Sequence, residues 1–186
     1  MTETAIGSDS LAPPDADVVL AFSRCWSGRL YAVLDAAREP RVTEFLRGSG
    51  LRYESLFDGW ARTVMAAAGP HLVALPRKGL ATRRLIERGW GRGWGVLLVS
   101  HEGFAETRRQ LRRLLTARVP GGGTALFRFY DPRLLPAFLA SCEREERDRV
   151  FGRVEGFLCE DSDGGTGVLT LNRRVGDGQS EPESSS

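Results

Sequence analysis

Short apolar runs alternate with stretches of helical periodicity over most of the chain. Residues 94–99 are apolar at nearly every position, which predicts a strand buried on both faces. Phe104, Leu111 and Leu115 share one helical face while arginines lie elsewhere, which predicts an amphipathic helix from Phe104 to Thr116. Further helices are predicted at 17–26, 40–47, 60–68, 80–88, 134–140 and 143–150. Further strands are predicted at 30–35, 53–56, 71–75, 151–158 and 168–171, with a hairpin between 118 and 130.

This alternation of strands and helices is typical of a layered α/β domain. The predicted hairpin adds an antiparallel pair, so we expect a single domain with a mixed sheet and helices packed on it. Residues 1–16 are small, polar and proline-containing, and we expect a disordered N-terminal tail. The domain is then expected over 17–160, and a short strand followed by a disordered tail over 161–186.

Charge and cysteine content narrow the class of protein. The chain has 186 residues, of which 26 are basic and 24 acidic, so its net charge of +2 predicts neither a nucleic-acid nor a membrane partner. Cys25, Cys142 and Cys159 are odd in number and lack CxxC spacing, which favours reduced thiols over disulfides or a zinc site. No basic residue precedes Arg24 and every apolar run is short, so we expect a cytoplasmic protein without a cleaved leader.

A glycine-rich stretch at 89–95 is the first candidate for binding chemistry. It does not match GxGxxG, because position 96 is Val, and it precedes a strand where phosphate cradles open a helix. The sequence therefore does not predict a nucleotide site here. Trp90 and Trp94 flank the stretch, and they have two interpretations. Core packing is the commoner role for tryptophan, and an interface anchor is the alternative.

Three carboxylates at predicted strand ends suggest a metal-dependent enzyme. Asp35, Asp58 and Asp131 could hold a divalent cation, as in a nuclease, if the strand ends converge. Local turn and helix capping explains Asp58 and Asp131 without any chemistry. The nuclease-like enzyme therefore stays an alternative hypothesis.

An arginine-rich helical segment suggests a nucleic-acid-binding module. Arg108, Arg109, Arg112 and Arg113 could contact a phosphate backbone. A solvated helix face is the commoner meaning of such a run, and the nearly neutral chain favours that meaning.

The segment 126–133, LFRFYDPR, is the most informative stretch of the chain. On a strand, Phe127 and Phe129 would face the core, which leaves Arg128 and Tyr130 displayed together on the opposite face.

Two interpretations of the displayed side chains remain open. In the first, Arg128 pairs with Asp131 or Asp35 and fixes the edge of the sheet. In the second, Arg128 and Tyr130, together with Asp131 and Arg133, form a recognition patch, because tyrosine and arginine are enriched in binding hot spots.

The same segment carries a family resemblance. FRFYDPR at 127–133 resembles a signature of the effector chaperone/adaptor family of type VI secretion, a domain-of-unknown-function family. Other pieces follow the family's order: YAVLDAAR at 31–38, YESLFDG at 53–59, HLVALP at 71–76, GWGRGWGVLLVS at 89–100 and FAETRRQLRRLL at 104–115. The similarity covers about residues 29–142.

The resemblance implies an adaptor that holds a cognate toxic effector in the cytoplasm and helps load it onto the spike protein VgrG. The family has no established catalytic residues, so we expect no enzyme activity, no cofactor and no metal site. The expected partners are the effector and VgrG, without nucleic acid or membrane. Candidate partner-binding residues are Trp90, Arg92, Trp94, Arg128, Tyr130, Asp131 and Arg133.

Overall fold

A six-stranded antiparallel sheet forms the centre of the protein. The computed structural model describes residues 16–59, 69–118, 122–160 and 168–172. The strands of this sheet are β1 Arg29–Asp35, β2 Tyr53–Ser55, β3 Pro70–Ala74, β4 Gly95–Ser100, β7 Val154–Glu160 and β8 Val168–Asn172. They lie in the order β2-β3-β1-β4-β7-β8. A separate two-stranded sheet pairs β5 Thr116–Arg118 with β6 Thr124–Leu126.

The layered α/β class is confirmed, but the sheet is not the expected mixed one. Every strand pairing among the described residues is antiparallel. The strands β3 and β4 do run in the same direction, since each is antiparallel to β1. Strand β1 lies between them and is antiparallel to both, so this shared direction never becomes a parallel pairing.

Helices connect the strands and cover both faces of the sheet. They are α1 Ala16–Ser23, α2 Pro40–Ser49, α3 Leu80–Gly89, α4 Phe104–Leu114, α5 Leu135–Ser141 and α6 Arg144–Phe151. Local chemistry explains the bounds of α2: the Glu39 side chain accepts a hydrogen bond from the Arg41 backbone, Pro40 occupies the first turn, and Gly50 ends the helix with φ of 67°. The predicted helix at 60–68 lies outside the described residues. No helix in the described part of the chain is long and apolar enough to cross a membrane.

Alternation along the central strands divides the core into two clusters. On β1, Ala32 and Leu34 pack in one cluster with α1, α2 and α3, while Tyr31 and Val33 pack in the other with α4, α5 and α6. On β4, Leu97 and Val99 join the first cluster, and Val96 and Leu98 join the second. The strand predicted at 94–99 is therefore buried on both faces, as its continuous apolar sequence indicated.

The segment after the hairpin departs from the prediction. Strand β6 ends at Leu126, and the following residues form a turn in which the Asp131 backbone N–H donates to the carbonyl of Arg128 at 3.0 Å. Without an extended backbone, side chains no longer alternate between two faces. Phe129 and Tyr130 are consequently both buried, so the prediction that Tyr130 is displayed at the surface is wrong.

Candidate interaction site

Asp131 is the centre of the turn that follows β6. Its buried carboxylate accepts hydrogen bonds from Nε of Arg133 at 2.9 Å, from Nη2 of Arg133 at 2.7 Å and from Nη1 of Arg38 at 3.2 Å. The hydrogen bonds from Arg133 lower the pKa of Asp131 below its ordinary value of 3.8, because they outweigh the opposing effect of burial. Asp131 is therefore an ionised structural anchor and does not itself offer a surface to a partner.

Asp35, at the end of β1, anchors a third arginine, Arg128. Its buried carboxylate forms an ion pair with Arg128 and accepts backbone hydrogen bonds from Ala37 at 3.1 Å and Arg38 at 3.3 Å. Of the two partners predicted for Arg128 in a structural network, the structure selects Asp35.

The guanidinium groups of this network reach the surface, whereas its carboxylates do not. Asp35 and Asp131 have side chains that are 3% exposed. The side chains of Arg38, Arg128 and Arg133 are 36%, 40% and 55% exposed. We call these three arginines the arginine face. The buried acids hold the arginines in place, so the same residues form both a structural network and a displayed arginine surface.

The glycine-rich stretch surrounds a carboxylate of the chain itself. Burial raises the pKa of Glu160, at the end of β7, and hydrogen bonds from the backbone N–H groups of Gly91, Gly93 and Arg92 lower it only in part. Gly91 and Gly93 have φ of 76° and 66°, a conformation in which successive N–H groups can converge on an anion. The sequence predicted a tight turn here but gave no signal for Glu160.

Trp90 and Trp94 lie in the core, so the core-packing interpretation holds for both. Each is less than a tenth exposed. Trp94 meets Phe45 edge-on with ring centroids 6.0 Å apart, and its ring leaves no room for a Cβ at Gly89. Neither tryptophan can contact a partner directly without a change of structure.

A small cavity separates the two tryptophans from Glu160. The indole Nε1 of Trp94 and Oε2 of Glu160 are buried and have no hydrogen-bond partner among the described residues, and both side chains line this cavity. Its volume is about 20 Å³, room for one water molecule and too little for a metabolite. The cavity therefore does not favour a cofactor site.

The two segments predicted to bind a partner do meet in the structure. The Asp35 backbone N–H donates to the carbonyl of Trp94 at 2.8 Å, which joins the glycine-rich stretch to the end of β1. Arg38 then connects β1 to Asp131. Arg92 and Arg133 are exposed and Arg128 is partly exposed. Arg38 was missed, although it ends the segment YAVLDAAR three residues after Asp35.

The carboxylates proposed for a metal enzyme do not come together. Asp58 forms an ion pair with Arg112 at 2.6 Å, whereas Asp35 and Asp131 are held by the arginine face. Within the described ranges, no three His, Cys, Asp or Glu side chains are grouped so that they could hold a metal ion. The ligand set of that hypothesis is therefore not assembled.

The arginines of α4 bind the chain's own acids and carbonyls. Arg112 pairs with Asp58 at 2.6 Å, and Arg109 with Glu106 at 3.6 Å. Arg108 contacts the segment around β2, namely Glu54 and the carbonyls of Ser55 and Phe57. Three of the four arginines thus meet acids within the protein, which weakens the hypothesis of a phosphate-binding helix.

Fold and site together define a layered α/β domain that displays arginines anchored on buried carboxylates. The model of the family described as "Domain of unknown function (DUF4123)" matches residues 30–149, and the chain belongs to that family. The match includes the arginine face and the glycine-rich stretch but ends before Glu160. Comparison with curated proteins and with solved structures found no match.

Proposed function

We propose that the chain is a cytoplasmic adaptor that binds a cognate type VI secretion effector and helps load it onto the VgrG spike. The observation that carries the proposal is the family match over residues 30–149, because this range contains all six segments on which the resemblance to effector adaptors rests. A role in binding, without bond-making chemistry, fits a site whose carboxylates are occupied by arginines.

The geometry divides the predicted partner-binding residues into two groups. The exposed arginines Arg92, Arg128 and Arg133 would contact the effector. Four buried residues would hold the surface in place: Trp90, Trp94, Tyr130 and Asp131. A stable complex would bury on the order of 800 Å² per partner, so residues around the arginine face must contribute as well.

Co-purification from the native host tests the proposal. The tagged chain is expressed from its own locus in a strain with active type VI secretion, and the captured proteins are identified by mass spectrometry. We expect the product of a neighbouring effector gene, and VgrG in an amount that falls when the effector gene is deleted.

A strain that lacks the gene for this chain tests whether the protein stabilises the effector as a chaperone. Loss of the chain should lower the steady-state level of the effector protein while its transcript stays unchanged. Capture of neither effector nor VgrG from a secreting strain, together with an unchanged effector level, would contradict the adaptor function.

A further inference from the structure

The arginine face carries more positive charge than its acids neutralise. Three guanidinium groups face the two carboxylates Asp35 and Asp131. Adding the exposed Arg92 of the glycine-rich stretch and the half-buried Glu160 beside it gives four arginines against three acids, so an excess of at least one positive charge remains. A partner that supplies negative charge would neutralise this excess.

Hydrogen-bond donors on the arginine face also remain available. Arg38 uses Nη1 on Asp131, and Arg133 uses Nε and Nη2 on the same carboxylate. No hydrogen bond joins Nε or Nη2 of Arg38, or Nη1 of Arg133, to any other described residue. A guanidinium has five N–H donors in a fixed planar fork, which matches the two oxygens of a carboxylate.

The face is fixed before any partner arrives. Asp131 holds Arg38 and Arg133 from below, and Asp35 holds Arg128, which also lies over the Tyr130 ring at 6.0 Å. Binding therefore orders fewer side-chain rotamers than it would on a surface of unrestrained lysines, and less affinity is lost to entropy.

Exposed leucines border the same segment and favour a protein partner. Leu126 and Leu134, which flank the turn, are 51% and 48% exposed. Phe127, which follows Leu126, packs on Phe138 with ring centroids 4.3 Å apart. Nucleic acid would require a longer positive track, and the arginines of α4 are largely paired with acids.

We propose that the arginine face binds an acidic segment of the effector protein, whose carboxylates meet Arg38, Arg128 and Arg133 while an adjacent apolar side chain contacts Leu126 or Leu134. This inference rests on the proposed adaptor function for the identity of the partner. The chemistry of recognition is nevertheless testable without the effector, because a short peptide can supply both the carboxylates and the apolar side chain.

Fluorescence anisotropy with two matched peptides provides that test. One labelled peptide alternates glutamate and leucine, and the other has glutamine at each glutamate position. We expect the wild-type chain to bind the glutamate peptide at least about tenfold more tightly than the glutamine peptide. The difference should shrink when NaCl is raised from 50 to 300 mM, because salt screens exposed charges.

Matched variants localise the binding. The double variant Arg38→Gln, Arg133→Gln should lose about tenfold or more in affinity for the glutamate peptide, whereas Arg109→Gln, Arg113→Gln on α4 should bind like wild type. If thermal denaturation shows that the double variant is not folded at the assay temperature, the single variant Arg38→Gln replaces it, because Arg133 still holds Asp131 in that variant. Three results would overturn the inference. They are equal affinity for the two peptides, an affinity of the arginine-face Gln variant for the glutamate peptide that equals that of wild type, or a higher affinity of wild type for a single-stranded oligonucleotide than for the glutamate peptide.

The two proposals can fail separately. A captured effector that binds the double variant as tightly as wild type would refute the acidic docking segment and leave the adaptor function standing. Peptide discrimination would support the arginine face, and if neither effector nor VgrG is captured and the effector level is unchanged in the deletion strain, the adaptor function alone is refuted.

Discussion

At the scale of single residues, the site depends on where two carboxylates are buried. An isolated ionised carboxylate inside a protein is costly, so Asp35 and Asp131 require partners. Arg128 supplies the charge for Asp35, and Arg38 and Arg133 supply it for Asp131. The arginines gain a fixed orientation in return, which is why their exposed ends form a defined surface.

Replacing Asp131 by Asn tests this anchoring. We expect a loss of about 1–3 kcal/mol in the free energy of unfolding at pH 7, because hydrogen bonds to a charged group are lost on both arginines. The folded-state pKa of Asp131 is lowered from 3.8, so its stabilisation is present above pH 3.8 and disappears as pH falls through the lowered value. The gap in the free energy of unfolding between wild type and variant, measured by urea denaturation, should therefore be smaller at pH 3 than at pH 7.

At the scale of elements, the strands were largely predictable and the turn after the hairpin was not. The apolar run at 94–99 identified β4, and glycine and proline positions marked most helix ends. The alternation assumed for 127–130 failed because the chain leaves β6 at Leu126 and Phe129 and Tyr130 then both enter the core. Side-chain alternation holds only while the backbone stays extended.

Glycine at the start of β4 permits close pairing with β1. Gly95 has φ of 153°, and a Cβ there would overlap the backbone carbonyl of Val33. Gly95→Ala should therefore lower the free energy of unfolding by about 3 kcal/mol, since the strand backbones must move apart. Chemical denaturation measures this loss.

The matched control for Gly95 is on α2. Gly48 lies inside this helix, and a Cβ added there would meet no other atom within 4 Å, so Gly48→Ala should raise stability by about 0.5–1 kcal/mol. Equal effects of the two alanines would contradict the close approach of β1 and β4.

At the scale of the whole molecule, the sheet separates two cores and determines which groups solvent can reach. The three cysteines report on this architecture: Cys25 is exposed, Cys142 is intermediate and Cys159 is buried in β7. None of the three forms a disulfide within the described part of the chain. Their reactivity with a thiol reagent depends on access and on the fraction of thiolate.

Thiol labelling at pH 8 should therefore proceed in a fixed order. Cys25 reacts first. Cys142 follows, because burial raises the pKa of its thiol and lowers the thiolate fraction. Cys159 should react only when the sheet opens, and addition of denaturing urea should bring its rate to that of Cys25. Peptide mapping by mass spectrometry assigns each rate, and labelling of Cys159 as fast as Cys25 in native buffer would contradict the structure.

The sequence by itself determined the α/β class, most helices and strands, the double burial of β4 and the segments that carry the family resemblance. Tertiary structure alone decided the antiparallel order of the sheet, the burial of Tyr130, the choice of Asp35 as partner of Arg128 and the meeting of Glu160 with the glycine-rich stretch. The physical reason is the sequence separation over which each kind of interaction acts. Periodicity and capping act over a few residues, whereas Asp35–Arg128 and Arg38–Asp131 each join positions 93 residues apart.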